Sequence, residues 1–287
     1  MRKGRRNTSS SRTPTIRRRR LAAELRRLRE AAGLTIDQVA EALECSSSKI
    51  SRIETEQVSA TPRDVRDMLS LYGVEGQQRD ALLQVSREAR QKGWWFQYRD
   101  LPEATLVGLE AAASSLRIWE TMRIPALFQT REYARASLGA VRPTLNAEDI
   151  ERRVELRLAR QGLLVHDNPP ELWAVLDEAA LQRPVGGHDV MANQLKRLIE
   201  AAELPNVTLQ LLPFTAGEQA GMEGPFTIVG FPDVADSDIV LVGNASDGVS
   251  FQDPNTVQRC VSIFDHLCAA ALSPENSIAF LTRMLSQ

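Results

Sequence analysis

Between positions 35 and 55 the chain concentrates short hydrogen-bonding side chains around two cations: Thr35, Gln38, Ser46, Ser47, Ser48, Lys49, Ser51, Arg52 and Thr55. Such groups suit a surface dense in acceptors. Base edges take paired donors from Arg and single ones from Ser or Thr, and phosphates take Lys and hydroxyls. The spacing sets how they are presented. In TIDQVAEALECSSSKISRIE (35–54), Ile36, Val39, Ala40 and Leu43 fall at i, i+3, i+4 and i+7, one face of a helix. Thr35 stands where a cap must stand, and Gln38, three residues on, completes a capping box. After a tight turn, Ser46 caps a second short helix that buries Ile50 and Ile53. Ser47, Ser48, Lys49, Ser51, Arg52 and Thr55 are left toward solvent. A helix this short, with two large apolar residues and a small polar and basic exterior, fits insertion into a groove better than core packing.

Other chemistries find little support. His166, His188 and His266 are the only histidines, and none pairs with another at metal-ligand spacing; HExxH and CxxC are absent. Cys260, His266 and Cys268 share one expected helix, but His266 lies off the face of the two thiols, so a structural role is expected. Three cysteines are too few for a disulfide framework, and reduced thiols in a cytoplasmic protein are the simplest reading. GGHD (186–189) is a helix entry, not a phosphate loop. Gly217, Gly221 and Gly224 lie in a loop between two strands. It reads as a long hairpin connection, or as a cover over a pocket. Asp233, Asp236 and Asp238 read as solvated turn charges, with a weak cation site as the alternative. No cofactor, metal or enzymatic activity is expected.

The elements that must position the 35–55 cluster lie around it. The net charge of −2 hides a split: residues 1–99 carry 21 Lys/Arg against 12 Asp/Glu, and residues 100–287 carry 14 against 25. This pattern suggests a basic module for a polyanion joined to an acidic module with another task. Residues 1–16, rich in Arg, Ser and Thr, are expected to be a disordered basic arm, able to enter a minor groove or track phosphates, or to be a solvated tail without a role. A helix from Arg17 to Ala32 buries Leu21, Leu25 and Leu28, with Arg18, Arg19, Arg26 and Arg29 elsewhere on the cylinder, and Gly33 stops it. Pro62 opens a fourth helix with Val65, Met68, Leu69 and Tyr72 inside. A fifth, about 77–91, packs Leu82, Val85 and Ala89. Residues 92–102 form an aromatic joint with Trp94, Trp95, Phe96 and Tyr98, either anchoring the linker on the second domain or offering an aromatic shelf.

Residues 103–287 are expected to form an α+β domain. An Ala-rich helix runs over 103–120 with Leu106, Leu109, Ala113 and Leu116 on one face. IPALFQT (124–130) is extended, and Thr130 caps a helix over 131–138. AEDIERRVELRLARQ (147–161) is strongly amphipathic. ELWAVLD (171–177) and VTLQLLP (207–213) are strands separated by a helix over 188–203, a β-α-β step with parallel strands. FTIVGF (226–231) and DIVLVG (238–243) resemble a hairpin, and helices over 254–272 and 274–285 close the chain. No run of about 18 apolar residues exists, so no membrane span is expected.

The string LRRLREAAGLTIDQVAEALECSSSKISRIET resembles the lambda-repressor-like, XRE-family helix-turn-helix domain over residues 17–91. The resemblance implies base-edge contacts from Ser47, Ser48 and Arg52, phosphate contacts from Lys49, Ser51 and the 55–59 segment, and a structural role for Glu54. Glu44 stands where that family usually has Gly in the turn, Ile36 where Gln commonly holds a phosphate, and Ser47 where Gln is common. A non-Gly residue in a left-handed turn costs about 1 kcal/mol. The second half, through WW, IPALFQTREYARA, ERRVELRLARQ, DEAALQRPVGG, VTLQLLPFTAGEQAGMEGPFTIVGF and the tail helices, resembles the actinobacterial regulators that carry a DUF5753-like domain behind a helix-turn-helix. That resemblance implies dimerisation and contact with a small acidic partner protein encoded nearby.

The expectation is therefore a mainly α, lambda-repressor-like helix-turn-helix domain followed by an α+β domain with a mixed sheet flanked by helices. The protein is expected to be a cytoplasmic transcriptional regulator, a homodimer on double-stranded DNA with a pseudo-palindromic operator. A small-molecule sensor with a pocket under the 214–226 loop, or an antitoxin-like interaction protein, are the alternatives.

Overall fold

Apolar residues at helical spacing account for the first part of the chain. In the computed structural model, which describes residues 14–90, 93–233, 236–243 and 249–286, five helices follow one another: α1 (Pro14–Ala31), α2 (Ile36–Ala42), α3 (Ser47–Glu54), α4 (Pro62–Leu71) and α5 (Gly76–Glu88). The chain divides into two units, Met1–Gln97 and Tyr98–Gln287. Most of the arm expected over 1–16 lies outside the described residues; 14–16 belong to α1.

Leu21, Leu25 and Leu28 of α1 meet Val39 and Ala40 of α2, Ile50 and Ile53 of α3, and Val65, Met68 and Leu69 of α4 in one core. The caps are those the sequence supplies. Thr35 and Gln38 form a reciprocal capping box on α2. Ser46 accepts from the Lys49 amide on α3, and Thr61 with Asp64 boxes α4 behind Pro62. Gly33 closes the end of α1 at φ 69°, a backbone state open to a residue without Cβ. On α5, Leu82 and Val85 pack partly covered against this core and Ala89 is buried, as expected, with Leu83 and Ser86 buried beside them. One expectation needs correction here. Arg29 is not on the outer cylinder of α1 but buried.

Trp94–Tyr98 forms a single 3-10 turn in which none of the five residues is buried. Trp94 and Trp95 meet edge to face at 6.0 Å.

The second unit is built on a six-stranded mixed sheet. Its elements in order are α6 (Ala104–Glu110), β1 (Ser115–Glu120), α7 (Arg131–Val141), α8 (Ala147–Gln161), β2 (Glu171–Asp177), α9 (Ala179–Gln182), α10 (His188–Ala202), β3 (Val207–Leu212), β4 (Phe226–Gly230), β5 (Ile239–Val242), β6 (Val249–Phe251), α11 (Pro254–Ala270) and α12 (Pro274–Leu285). The strand order is β3-β2-β1-β4-β5-β6. β1 pairs in parallel with β2 and β2 with β3, while β4 runs antiparallel to β1 and β5 to β4.

The main correction is β1. The helix expected over 103–120 ends at Glu110, and SLRIWE becomes the strand at which the parallel and antiparallel halves of the sheet meet. The leucine spacing continues past residue 110 by coincidence. Ile118 and Trp119 are β-formers, and a strand here satisfies its amides from both β2 and β4. The short β6, and a 3-10 turn at Ala126–Phe128 within the stretch expected to be extended, were not legible. The 213–225 segment does not join neighbours in a hairpin. It carries the chain from the edge strand β3, past β2 and β1, to β4.

One face of the sheet, with Trp119, Val175, Phe226, Ile228 and Val240, packs on Cys260, Phe264 and Leu267 of α11. Both thiols of α11 are held up by burial, Cys268 to about 11 and Cys260 also above its ordinary value, so they remain protonated at neutral pH. His266 is exposed, its Nδ1 2.6 Å from the Ser262 carbonyl one turn back. The acidic turn at Asp233, Asp236 and Asp238 includes two residues outside the described set, and the Asp236 amide donates to the Asp233 carbonyl across it.

Candidate nucleic-acid interface

The outer face of α2 and α3 carries the predicted site residues in two conditions. Ser48 and Arg52 are exposed and one turn apart. Arg52 donates from Nε to the Ser48 carbonyl at 3.2 Å, which lays the guanidinium along the helix and leaves the Nη1 and Nη2 pair for an outside acceptor. That pair is the fork that meets guanine O6 and N7. No carboxylate among the described residues lies within ion-pair distance of Arg52.

Most of the other residues are already engaged. Thr35 and Gln38 spend their acceptors on each other's backbone amides, keeping the hydroxyl hydrogen and the amide donors of Gln38. Ser46 accepts from the Lys49 amide at 3.2 Å. Thr55 donates its hydroxyl to the Ser51 carbonyl at 2.7 Å. Ser47 donates to Asp37 of α2 in a short hydrogen bond, so its hydroxyl must leave a carboxylate before it can donate to a base. Lys49 is tied to Asp64 of α4 at 2.6 Å, and the ammonium pKa is raised by that hydrogen bond. Asp37 and Asp64 therefore place negative charge against two of the expected contacts, which sequence spacing did not reveal.

What holds α3 in place is a buried ion pair. Arg29 donates from Nε and Nη2 to the two carboxylate oxygens of Glu54 at 2.7 and 2.9 Å, and from Nη1 to the Leu34 carbonyl at 2.8 Å. One guanidinium thus joins the end of α1, the α1–α2 turn and the end of α3. The signal for Arg29 was available, because position 29 is one turn past Leu25 on the buried stripe. The turns on both sides of α3 pass through left-handed residues that are not glycine, Glu44 at φ 50° and Glu56 at φ 64°. Burial raises the Glu56 carboxyl above its ordinary range, opposed by Arg19 and Arg18.

The second unit has a site of another kind. A cleft of about 370 Å³ opens at the carboxyl end of β1, among Ile118 and Glu120, the start of β4 at Phe226 and Thr227, and helices α6 and α8. This is where the order of strands reverses direction, since the chain moves from β1 out to β3 and then returns to the other side of β1 at β4. Such switch points are where open sheets leave a crevice. Of the 214–226 loop only Pro225 and Phe226 line it, so the expected pocket under that loop is displaced toward α6 and α8. The loop itself is pinned: Trp119 Nε1 donates to the Gly221 carbonyl at 3.0 Å.

Among the described residues no helix is long and apolar enough to cross a membrane, and no group of three His, Cys, Asp or Glu is placed to hold a metal ion. Neither curated proteins nor solved structures include a match to this chain. Two family models do match. One described as a helix-turn-helix domain covers residues 20–82, which hold α2, α3 and α4, and one described as a domain of unknown function, DUF5753, covers residues 104–283. The second match takes in more than half of the 287 residues, and the chain belongs to the DUF5753 family, with a helix-turn-helix of a DNA-binding regulator ahead of that domain.

Proposed function

We propose that the protein is a sequence-specific transcriptional regulator that acts as a homodimer on a pseudo-palindromic operator, with two α3 helices in successive major grooves. The observation that carries this reading is the exposed Ser48–Arg52 ridge on a helix braced by Arg29 and Glu54. Ser48 and Arg52 read base edges, with Ser47 joining them when it leaves Asp37. Thr35, Gln38, Ser46, Lys49, Ser51 and Thr55 contact phosphates, and the Arg-rich α1 adds to the attraction. Affinity then falls steeply with salt. The DUF5753 unit supports dimerisation and contact with a partner protein. Selection of bound genomic fragments, followed by the same selection with Ser48→Ala/Arg52→Ala, tests the reading. The double variant is expected to keep salt-dependent binding and lose preference for the selected operator, and an unchanged ratio of operator to random DNA sinks the base-contact assignment.

A second reading is favoured by the cleft at the end of β1: the DUF5753 unit is a small-molecule sensor whose ligand sets DNA binding. Its position at the reversal of strand order, where one molecule can touch β1, β4, α6 and α8 together, supports this.

A further inference from the structure

The cleft has an uneven charge inventory. Glu103, Glu110 and Glu120 line it together with Arg123, Arg142, Arg157 and Arg160. Glu110 and Arg160 consume each other in a two-point pair at 2.8 and 2.6 Å, both buried. Glu120 lies 3.6 Å from Arg123, and Glu103 lies 3.5 Å from Arg153 of α8.

Arg157 differs. It has no carboxylate within ion-pair distance among the described residues. Its one hydrogen bond runs from Nη1 to Gln129 Oε1 at 2.7 Å. Gln129 is almost wholly buried and is itself fixed, its Nε2 donating to the Ile124 carbonyl at 2.7 Å and its backbone carbonyl accepting from Gln161 Nε2 at 2.6 Å. A rigid amide therefore aims the guanidinium and leaves Nε and Nη2 without a protein acceptor. Burial, with Arg160 and Arg123 close by, brings the Arg157 pKa down to about 10. The group is still charged at neutral pH, but its charge is poorly compensated. A half-buried cation in this condition is costly to keep, and a ligand anion relieves the cost.

The rest of the lining constrains that anion. Leu106, Leu109, Ile118, Leu138 and Phe226 supply hydrocarbon walls, so the ligand has an apolar body. Arg157 presents one guanidinium edge with two open donors, which a single carboxylate fills, while the glutamates at 103, 110 and 120 stand against a second negative charge and so disfavour a phosphate dianion. A carboxylate matches the two parallel donors of one guanidinium. We propose that the cleft binds a small amphipathic monocarboxylate, with its carboxylate on Arg157 and its hydrocarbon body against the α6 leucines and Ile118; this rests on the sensor reading above.

The test uses the full chain and two probes, octanoate and phenylpropionate, each titrated calorimetrically beside its primary amide. Both acids are expected to bind saturably and at least about tenfold more tightly than their amides, because the amide loses the charge-assisted pair. Arg157→Gln should remove that preference and Arg157→Lys should restore part of it, with circular dichroism reporting that each variant is folded. The comparison of acid with amide on the unaltered protein stands even if neither variant folds. Equal binding of acid and amide overturns the carboxylate assignment and leaves the cleft as a sensor pocket. Absence of saturable binding by any probe at millimolar concentration overturns both.

Discussion

Arg29 and Glu54, twenty-five residues apart, meet through two hydrogen bonds at 2.7 and 2.9 Å in the interior of the helical unit. The third donor of the same guanidinium holds the Leu34 carbonyl. Helix α3 is short, and two large apolar side chains, Ile50 and Ile53, define its depth in the core. The ion pair adds an orientation that apolar contacts lack, since a two-point pair between planar groups fixes the angle as well as the distance.

Removing one partner is expected to cost more than the pair contributes, because the other charge remains buried. Glu54→Ala should destabilise the helical unit by about 3 kcal/mol. Loss of operator affinity should accompany it, although Glu54 faces away from the exposed ridge. Urea denaturation followed by helical circular dichroism measures the first, and a gel-shift titration the second. A change below the precision of denaturation would show that the pair is dispensable.

Glu44 occupies the turn between α2 and α3 at φ 50°, where a side chain is strained. Glu44→Gly should relieve about 1 kcal/mol of backbone strain, reduced by the greater freedom of glycine in the unfolded chain. A net stabilisation of a few tenths of a kcal/mol is expected, read as a higher denaturation midpoint at unchanged slope. A lower midpoint would show that the Glu44 side chain contributes more than its backbone costs.

Asp64 gives a pH dependence. Burial pushes its carboxyl up, but hydrogen bonds from Lys49 and Thr61 outweigh burial and hold it below the ordinary range. The folded pKa is depressed, so the stabilisation is complete above the ordinary carboxylate value and lost as pH falls through the folded one. Asp64→Asn keeps the shape and can still accept from the Thr61 amide. The wild type should therefore exceed this variant in melting temperature above the ordinary carboxylate range, with the gap closing as pH falls below it through the depressed folded pKa. A gap independent of pH would mean that the ion pair is not its source.

Gly221 lies against the indole of Trp119, and a Cβ there would come within 2.4 Å of the indole nitrogen. Gly221→Ala should break the hydrogen bond from Trp119 Nε1 and shift the loop ahead of β4, at a cost of about 1–3 kcal/mol. A change in tryptophan fluorescence, together with earlier thermal unfolding, is the expected result. An unchanged spectrum would show that the loop adjusts without moving the indole.

Local patterns were legible wherever a short stretch carries its own physics. The TIDQ box, the Ser46 cap, the 3.6-residue rhythm of α2 and α4 and the amphipathic run of α8 depend on neighbours within one or two turns. The two strands of the β-α-β step and the hairpin of β4 with β5 were legible for the same reason. The exposure of Ser48 and Arg52 also followed, because Ile50 and Ile53 fix which side of α3 is inside.

Tertiary structure decided whatever depends on partners distant in sequence. SLRIWE continues the leucine spacing of a helix, and only the paired strands on both sides make it β1. Ser47 and Lys49 look free in sequence, yet Asp37 and Asp64, ten and fifteen residues away, engage them. The cleft is the extreme case. Its charge balance is set by Glu110 and Arg160, fifty residues apart, and by Arg157 on Gln129, twenty-eight apart. The sequence alone therefore determined the helix-turn-helix and the outer face of its second helix, α3, since both arise from local periodicity and capping. Which charges stay uncompensated, and where a ligand could complete them, emerged only when the sheet brought α6, β1 and α8 together, because Coulomb and desolvation energies depend on distance in space and not along the chain.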